Sequence, residues 1–187
     1  TAEPDEQSHA AFLLMVKHRI KHVLVVDNDG NLIGIVAMRD LIRSRETGSF
    51  AIVHRIETSN TIEEVSRLSP EVDQVLQALL VEKATVAEIT SLITEFYDRI
   101  TRKIIEIAEN KMCEDGYGPA PVPYCWISMG SSGRKEQYAR TDQDNGIVYA
   151  DVDQKDEKKV QEYFLMLGEK IVSGLERYGF KRCNGGV

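Results

Sequence analysis

The long amphipathic stretch between Thr85 and Ile107 most constrains how this chain can fold. It opens with Thr85 three residues before Glu88, the spacing of a helix-capping box. Apolar residues then recur at helical spacing: Ile89, Leu92, Ile93, Phe96, Ile100, Ile104 and Ile107. The pattern predicts a long helix with one buried face in the middle of the chain.

Two further helix starts precede this stretch. Thr61 and Glu64 have the same capping-box spacing, and Ser69-Pro70 is typical of an N-cap followed by a first-turn proline. The apolar residues that follow are also spaced for a helix: Val72, Val75, Leu76, Leu79 and Leu80. We therefore predict a helical segment over residues 48–115 that packs domains together and carries no chemistry itself.

Strand patterns lie on both sides of the helical segment. Before it, two short apolar runs flank the turn-rich residues 27–31, in which Asp29-Gly30 predicts a β-hairpin. After it, residues 116–123 break the helix, and residues 124–129 and 147–150 are typical of strands. A last helical pattern ends near Gly179. The expected fold class is α+β, with domains at 1–47, 48–115 and 116–187.

Composition excludes several classes of function. The 187 residues carry a formal net charge of −7, which argues against a general nucleic-acid binder because such proteins usually have a basic excess. No run of ~18 apolar residues occurs, so no membrane span is expected. Cys113, Cys125 and Cys183 are widely spaced and odd in number. Neither a disulfide framework nor a structural zinc site is expected, and a cytoplasmic location is the simplest interpretation.

The residues that carry chemistry follow the helix-breaking segment. Gly130-Ser131 comes directly after a predicted strand, where a glycine lets backbone N–H groups approach a phosphate and a serine hydroxyl can donate to it. After ten intervening residues, Asp142 and Asp144 stand two apart, so they share one face of an extended strand. Paired carboxylates repel each other unless a cation lies between them, and hard oxygen ligands suit Mg²⁺.

The loop between these two elements is locally basic within an acidic chain. It contains Arg134, Lys135 and Arg140. A phosphate seat, basic residues and a metal-binding acid pair together meet the needs of phosphoryl or nucleotidyl transfer. Each feature alone is more often a turn or a solvated loop, so the hypothesis rests on their order and spacing.

That order resembles the signature of the DNA polymerase beta-like nucleotidyltransferases. The longer strings at residues 126–137 and 141–145 are similar to nucleotidyltransferases related to the bacterial PII uridylyltransferase. Residues 97–102 also resemble the helical segment of that family, so the resemblance covers roughly residues 61–187. It implies a polymerase beta-like domain with a mixed sheet flanked by helices.

The resemblance also implies a role for five residues. Asp142 and Asp144 would bind Mg²⁺ and be catalytic, Gly130 and Ser131 would hold a nucleoside triphosphate, and Arg134 would be a further phosphate contact. The acceptor would be a hydroxyl, on a protein tyrosine as in the PII relative or on a small molecule.

One expected residue is missing from the pattern. These enzymes normally use a third carboxylate on a later strand, and we find no convincing candidate before Val187. Asp151, Asp153 and Asp156 fall in a predicted turn. We therefore expect a truncated transferase domain with weak or no turnover.

Residues 20–41 resemble the second half of a cystathionine-β-synthase (CBS) motif, and the related nucleotidyltransferases carry such domains upstream. The resemblance implies that Asp40, at a helix start, accepts hydrogen bonds from the ribose of an adenosine nucleotide. Ala37 stands where a threonine or serine is common, and only one of two motifs is present. For these reasons an N-cap role for Asp40 is favoured over a ligand contact. The half-module would instead pair with a second chain as a homodimer.

Two hypotheses of different class follow. The first is a Mg²⁺-dependent nucleotidyltransferase regulated by a CBS module in signal transduction. The alternative is a non-catalytic CBS module that senses adenylate or dimerises, with an inactive transferase fold. A scaffold that binds neither ligand is the third interpretation, and the sequence identifies neither the acceptor nor the preferred base.

Overall fold

The computed structural model describes residues 2, 8–18, 20–38 and 48–183. Over these residues the chain has the predicted α+β class, with two small sheets among predominantly helical elements. It divides into two compact units, residues 1–54 and 55–187. None of the described helices is both long and apolar enough to cross a membrane.

The first unit contains the predicted hairpin. Helix α1 (Ser8–His18) precedes strands β1 (His22–Val26) and β2 (Leu32–Ala37), which pair antiparallel. Between the strands, the Asp27 carboxylate accepts hydrogen bonds from the backbone N–H groups of Asn31 (2.8 Å) and Asp29 (3.0 Å), and Gly30 has a φ of +83°. The Asn31 bond and the others of this turn hold the pKa of the Asp27 carboxyl below its usual value.

Four helices follow in chain order. They are α2 (Gly48–Thr58), α3 (Ile62–Ser66), α4 (Ser69–Val81) and α5 (Val86–Glu114). Both threonine caps form as predicted: Thr61 Oγ1 accepts from the Glu64 N–H, and Thr85 and Glu88 make the complete reciprocal capping box. These local hydrogen bonds set where α3 and α5 begin.

The predicted N-cap at Ser69 is wrong. Helix α4 begins at Ser69 itself, and its side chain caps nothing because the position before it, Leu68, already has helical backbone. Arg67, at the end of α3, is also helical. A side-chain N-cap requires extended backbone at that position, and the tight passage from α3 to α4 over the fully buried Leu68 leaves no such residue.

The second sheet and its helices complete the chain. The elements are β3 (Tyr124–Ser128), α6 (Gly130–Gly133), β4 (Asn145–Tyr149) and α7 (Gln154–Tyr178). Strands β3 and β4 pair antiparallel, and a parallel bridge joins Asp142 to Lys181. Residues 130–133 form a short helical turn. As predicted, α7 ends at Gly179, which has a φ of +121°.

The core of the second unit lies between α5 and α7. Six of the seven apolar positions predicted for α5 are buried, and Ile107 is partly exposed. Helix α7 contacts α5 and buries an apolar face of its own: Val160, Phe164, Leu167, Ile171 and Leu175. A Cβ on Gly174 would lie 2.7 Å from Ile104 Cγ2, so the absence of a side chain there lets the two helices approach closely. The β3–β4 hairpin packs on this pair, where Tyr149 stacks on Phe164 with ring centroids 4.7 Å apart.

Candidate functional site

The site forms where the chain leaves β3 and enters β4. The Met129 N–H donates to the Asp144 carbonyl oxygen (2.8 Å), which extends the antiparallel pairing one residue beyond Ser128 and Asn145. This pairing places the Asp144 carboxylate directly over Gly130. A Cβ on Gly130 would overlap Asp144 Oδ2, and the Gly130 φ of +58° is strained for other residues. Glycine is therefore required here for two reasons.

The turn that follows is tightly closed. The Gly133 N–H donates to the Met129 carbonyl oxygen at 3.0 Å. A Cβ on Gly133 would lie 2.5 Å from the Ser128 carbonyl oxygen, so a second glycine is needed to make the turn. The first N–H groups of a helical turn have no partner within it. The turn therefore offers backbone donors, and the hydroxyl of the half-buried Ser131, to an anion.

The acid pair is held in extended backbone with its middle residue buried. Gln143 is 5% exposed, whereas Asp142 and Asp144 are exposed. The Gln143 N–H donates to the Lys181 carbonyl oxygen (2.8 Å), and its side-chain amide donates to the backbone oxygens of Val172 (3.3 Å) and Phe180 (3.4 Å). Fixing the residue between them directs the two carboxylates to the opposite, solvent side.

The two carboxylates and the turn share one cleft. Ser131, Asp142 and Asp144 all line this cleft. The backbone hydrogen bonds described above hold the turn and the acid pair in their positions around it. Carboxylate oxygens are the ligands that Mg²⁺ prefers, and Mg²⁺ typically uses one or two protein carboxylates together with phosphate oxygens and water. Among the described residues, no group of three or more His, Cys, Asp or Glu side chains suits a metal. The residues present therefore fit a cation shared with a phosphate rather than a closed protein cage.

Helix α5 anchors the middle of the loop between Ser131 and Asp142. The buried Thr94 hydroxyl donates to the Gln137 carbonyl oxygen at 3.1 Å, although the two residues are 43 positions apart. The Gln137 side chain, also buried, donates in turn to Thr141 Oγ1 at 3.3 Å. The loop is thereby tied to the most deeply packed helix of the unit, just before the acid pair.

Arg140 ties the same loop to α4. Its guanidinium donates two hydrogen bonds to the Asp73 carboxylate, at 2.8 and 2.7 Å, and lies 5.9 Å from the centroid of the Tyr178 ring. A bidentate pair of this kind has a fixed geometry. One of the three basic residues of the loop is therefore already bound to a carboxylate and helps to position the acid pair.

Other residues singled out from the sequence lie elsewhere. Arg134 is exposed at the end of α6 and pairs with Glu136, with Nε 2.9 Å from Oε2. It is absent from the described residues that line the cleft. Asp40, the residue suggested for an adenosine nucleotide, lies outside the described residues.

Helix α5 contributes to the cleft, which its apolar pattern did not predict. Tyr97 and Thr101 line it, although we had assigned their helix to packing alone. The signal was present, because residues 97–102 formed part of the family resemblance. Thr94 and Asp73 carried no such signal, since each makes its contact across more than forty positions.

The strand, the glycine-serine turn and the paired acids have the order of a nucleotidyltransferase domain. Residues 70–187 match the family described as "Putative nucleotidyltransferase DUF294", and the chain belongs to that family. The match includes α4 and α5 as well as the β3–β4 hairpin. Residues 1–46 match the CBS domain.

A curated relative shares a short stretch with this chain. An uncharacterized protein of Methanocaldococcus jannaschii is 54% identical over 43 residues, which are 23% of this chain and 26% of that protein. The matched stretch thus spans about a quarter of that relative's length. No solved structure gave a significant match.

Proposed function

We propose that the protein transfers a nucleoside monophosphate from a nucleoside triphosphate to a hydroxyl, with Mg²⁺ bound at Asp142 and Asp144. The observation that carries this proposal is the placement of the Asp144 carboxylate against Gly130, with Asp142 and Ser131 on the same cleft. A cation ligand and a phosphate donor are adjacent there. Family membership supports the same reaction class.

Each side chain has a defined task in this reaction. The turn at Gly130 and Ser131 binds phosphate oxygens, and Asp142 and Asp144 hold the cation, which when bound neutralises charge on the reacting phosphate. The acceptor oxygen forms a bond to the α-phosphorus as the bond to the bridging oxygen breaks. Pyrophosphate leaves with that electron pair, and the hydroxyl proton passes to solvent. Arg134 would exchange its exposed, weak pairing with Glu136 for a phosphate oxygen.

Calorimetric titration tests the proposal. Each of the four ribonucleoside triphosphates is titrated with Mg²⁺ and with EDTA, into the unaltered chain and into Asp142→Asn and Asp144→Asn. We expect binding that requires Mg²⁺ and weakens by more than about tenfold in each variant, the scale expected for disturbing a metal site.

Asp153→Asn is the matched control. Asp153 is a strongly exposed acid just before α7, and it lies outside the cleft. This variant should bind as the unaltered chain does. Binding that needs no metal, or that survives both changes in the acid pair, would overturn the proposal.

The acceptor and the regulation extend the proposal. Resemblance to relatives of the PII uridylyltransferase favours a protein tyrosine as acceptor, and a small-molecule hydroxyl is the alternative. Incubation with a radiolabelled triphosphate and candidate acceptors would show which of them takes up the label. We also propose residues 1–47 as a regulatory CBS half-module, residues 48–115 as the helical segment and residues 116–187 as the transferase domain.

The CBS match favours a second candidate role, adenylate sensing or homodimer formation through residues 1–46. Metal-independent binding of AMP that is lost in Asp40→Ala would support sensing. Sedimentation equilibrium would detect the dimer. Absence of both, with Mg²⁺-dependent triphosphate binding intact, would leave the transferase role alone.

A further inference from the structure

Lys181 pairs with the acid-bearing segment through its backbone. Its N–H donates to the Thr141 carbonyl oxygen (3.2 Å), and its own carbonyl oxygen accepts from the Gln143 N–H (2.8 Å). These two bonds form a parallel bridge in which Lys181 stands directly opposite Asp142. Residues opposite one another on neighbouring strands project to the same side. The side chains of Lys181 and Asp142 therefore leave the backbone on one side.

The neighbouring residues show which side this is. Arg182 binds Glu169 (2.6 Å) and Glu176 (2.9 Å), both on α7. Gln143 donates to the Val172 carbonyl oxygen, also on α7. Because side chains alternate along an extended chain, Lys181 and Asp142 point away from α7, toward the side on which the acid pair meets solvent.

The Lys181 side chain is exposed, and no described residue forms an ion pair with it. Among the cations of the loop, Arg140 is held by Asp73, whereas Arg134 pairs only weakly with Glu136 at the exposed surface. A lysine ammonium on its flexible stem binds phosphate as a point charge and needs no fixed fork geometry.

We propose that Lys181 binds the phosphate chain of the nucleoside triphosphate, beside the cation held by Asp142. This inference rests on the proposed transferase function and adds a residue to its binding site. In the reaction Lys181 would neutralise charge that develops on the departing pyrophosphate. The ammonium keeps its protons and forms no covalent bond.

The test measures triphosphate affinity rather than turnover. Each of the four ribonucleoside triphosphates with Mg²⁺ is titrated into the unaltered chain, Lys181→Gln and Lys181→Arg at low and at high salt. We expect affinity to fall about tenfold in Lys181→Gln and to be largely restored in Lys181→Arg. The salt dependence should also flatten in Lys181→Gln, because one screened charge contact is gone.

Lys158→Gln is the matched control. Lys158 is a strongly exposed lysine in the first turns of α7, roughly 25 Å along the helix from Leu175, which lines the cleft. It should bind as the unaltered chain does, and the melting temperature of Lys181→Gln should not change. A purely structural role would lower that melting temperature and leave the salt dependence unaltered.

The outcomes separate the two proposals. If Mg²⁺-dependent binding is seen and is lost in Asp142→Asn but is unchanged in Lys181→Gln, the Lys181 proposal fails and the transferase proposal stands. If the unaltered chain binds no triphosphate, both fail. Equal weakening by Lys181→Gln and Lys158→Gln would indicate a general charge effect and would overturn the Lys181 assignment.

Discussion

The two hairpins of this chain hold their connections in opposite ways. The turn between β1 and β2 is closed by its own residues, with the Asp27 carboxylate accepting from the backbone four positions away. The loop between β3 and β4 is held from outside, by Thr94 on α5, Asp73 on α4 and the Val172 carbonyl oxygen on α7. A self-closed turn needs no support. A loop anchored on three helices can hold like-charged acids side by side, which is what a cation site requires.

The largest effect is expected from adding a methyl group at the glycine of each connection. Gly30→Ala and Gly130→Ala both impose a positive φ on alanine, but a Cβ at Gly30 has open space whereas one at Gly130 overlaps the Asp144 carboxylate. We expect Gly30→Ala to cost about 1–2 kcal/mol of stability and nothing in binding. Gly130→Ala should weaken Mg²⁺-dependent triphosphate binding about 100-fold. Denaturant titration and calorimetry measure the two quantities.

Both variants place an alanine at a positive φ, but only Gly130→Ala also overlaps the Asp144 carboxylate. Equal triphosphate binding in the two variants would show that the contact between Gly130 and Asp144 does not organise the site. The way in which the β3–β4 loop is anchored would then have no role in triphosphate binding.

The next effect concerns the tie to α4. Asp73→Asn removes the charge that binds both terminal nitrogens of the Arg140 guanidinium. The Arg140 side chain is partly buried, with 21% of it exposed. We expect a loss of about 2 kcal/mol in the free energy of unfolding, since a partly buried guanidinium loses its counter-charge. Binding should fall as well, because Arg140 is two positions from Asp142. The control is Glu63→Gln, which removes an exposed pair with Arg177 and should cost less than about 0.5 kcal/mol.

A smaller effect is expected on α5. Thr94→Val removes the buried hydrogen bond to the Gln137 carbonyl oxygen and keeps the branched shape of the side chain. Thermal or denaturant unfolding should show a loss of about 1 kcal/mol. Thr90→Val, one turn earlier, removes only bonds to the Val86 and Ala87 carbonyl oxygens within the same helix. If the two variants lose equal stability, the tie between α5 and the loop contributes nothing.

The smallest effect depends on pH. Burial raises the pKa of the Asp98 carboxyl above its usual value, against the opposing charge of Arg102. A carboxyl whose pKa is raised by folding adds stability to the folded state in full at a pH below its pKa in the unfolded chain. That added stability is lost as the pH rises through its pKa in the folded chain. Asp98→Asn, neutral at every pH, should therefore gain at most a few tenths of a kcal/mol at pH 7, because solvent screens this half-buried group, and should gain nothing at low pH, where Asp98 is itself protonated.

Melting curves across this pH range measure that gain. Glu106→Gln, an exposed change on the same helix, is the control and should show no such trend. Lower stability of Asp98→Asn at pH 7 would mean that attraction to Arg102 and Lys135 outweighs burial.

The same contrast explains how much of each hairpin could be predicted from the sequence. Residues 27–31 determine their turn by themselves, so Asp29-Gly30 was enough to predict it. The glycine-serine and paired-aspartate signals were also local and predicted which residues share the second loop. The ties of Thr94 and Arg140 join positions 43 and 67 apart, and no short-range pattern encodes them. The helical backbone at Leu68 was missed for a similar reason, because burial of this side chain in the core accompanies it and no short-range pattern encodes that burial.

Paramagnetic broadening by Mn²⁺ tests the central claim most directly, since this ion replaces Mg²⁺ at oxygen ligands and broadens nearby amide resonances. We predict that low Mn²⁺ broadens the amides of Gly130, Ser131 and Asp144 first. The amides of the acidic turn at residues 27–31 should stay sharp, and the effect should vanish in the variant that combines Asp142→Asn with Asp144→Asn. Broadening that begins at Asp27, or that spares Gly130, would contradict a cation site between the paired acids and the glycine-serine turn.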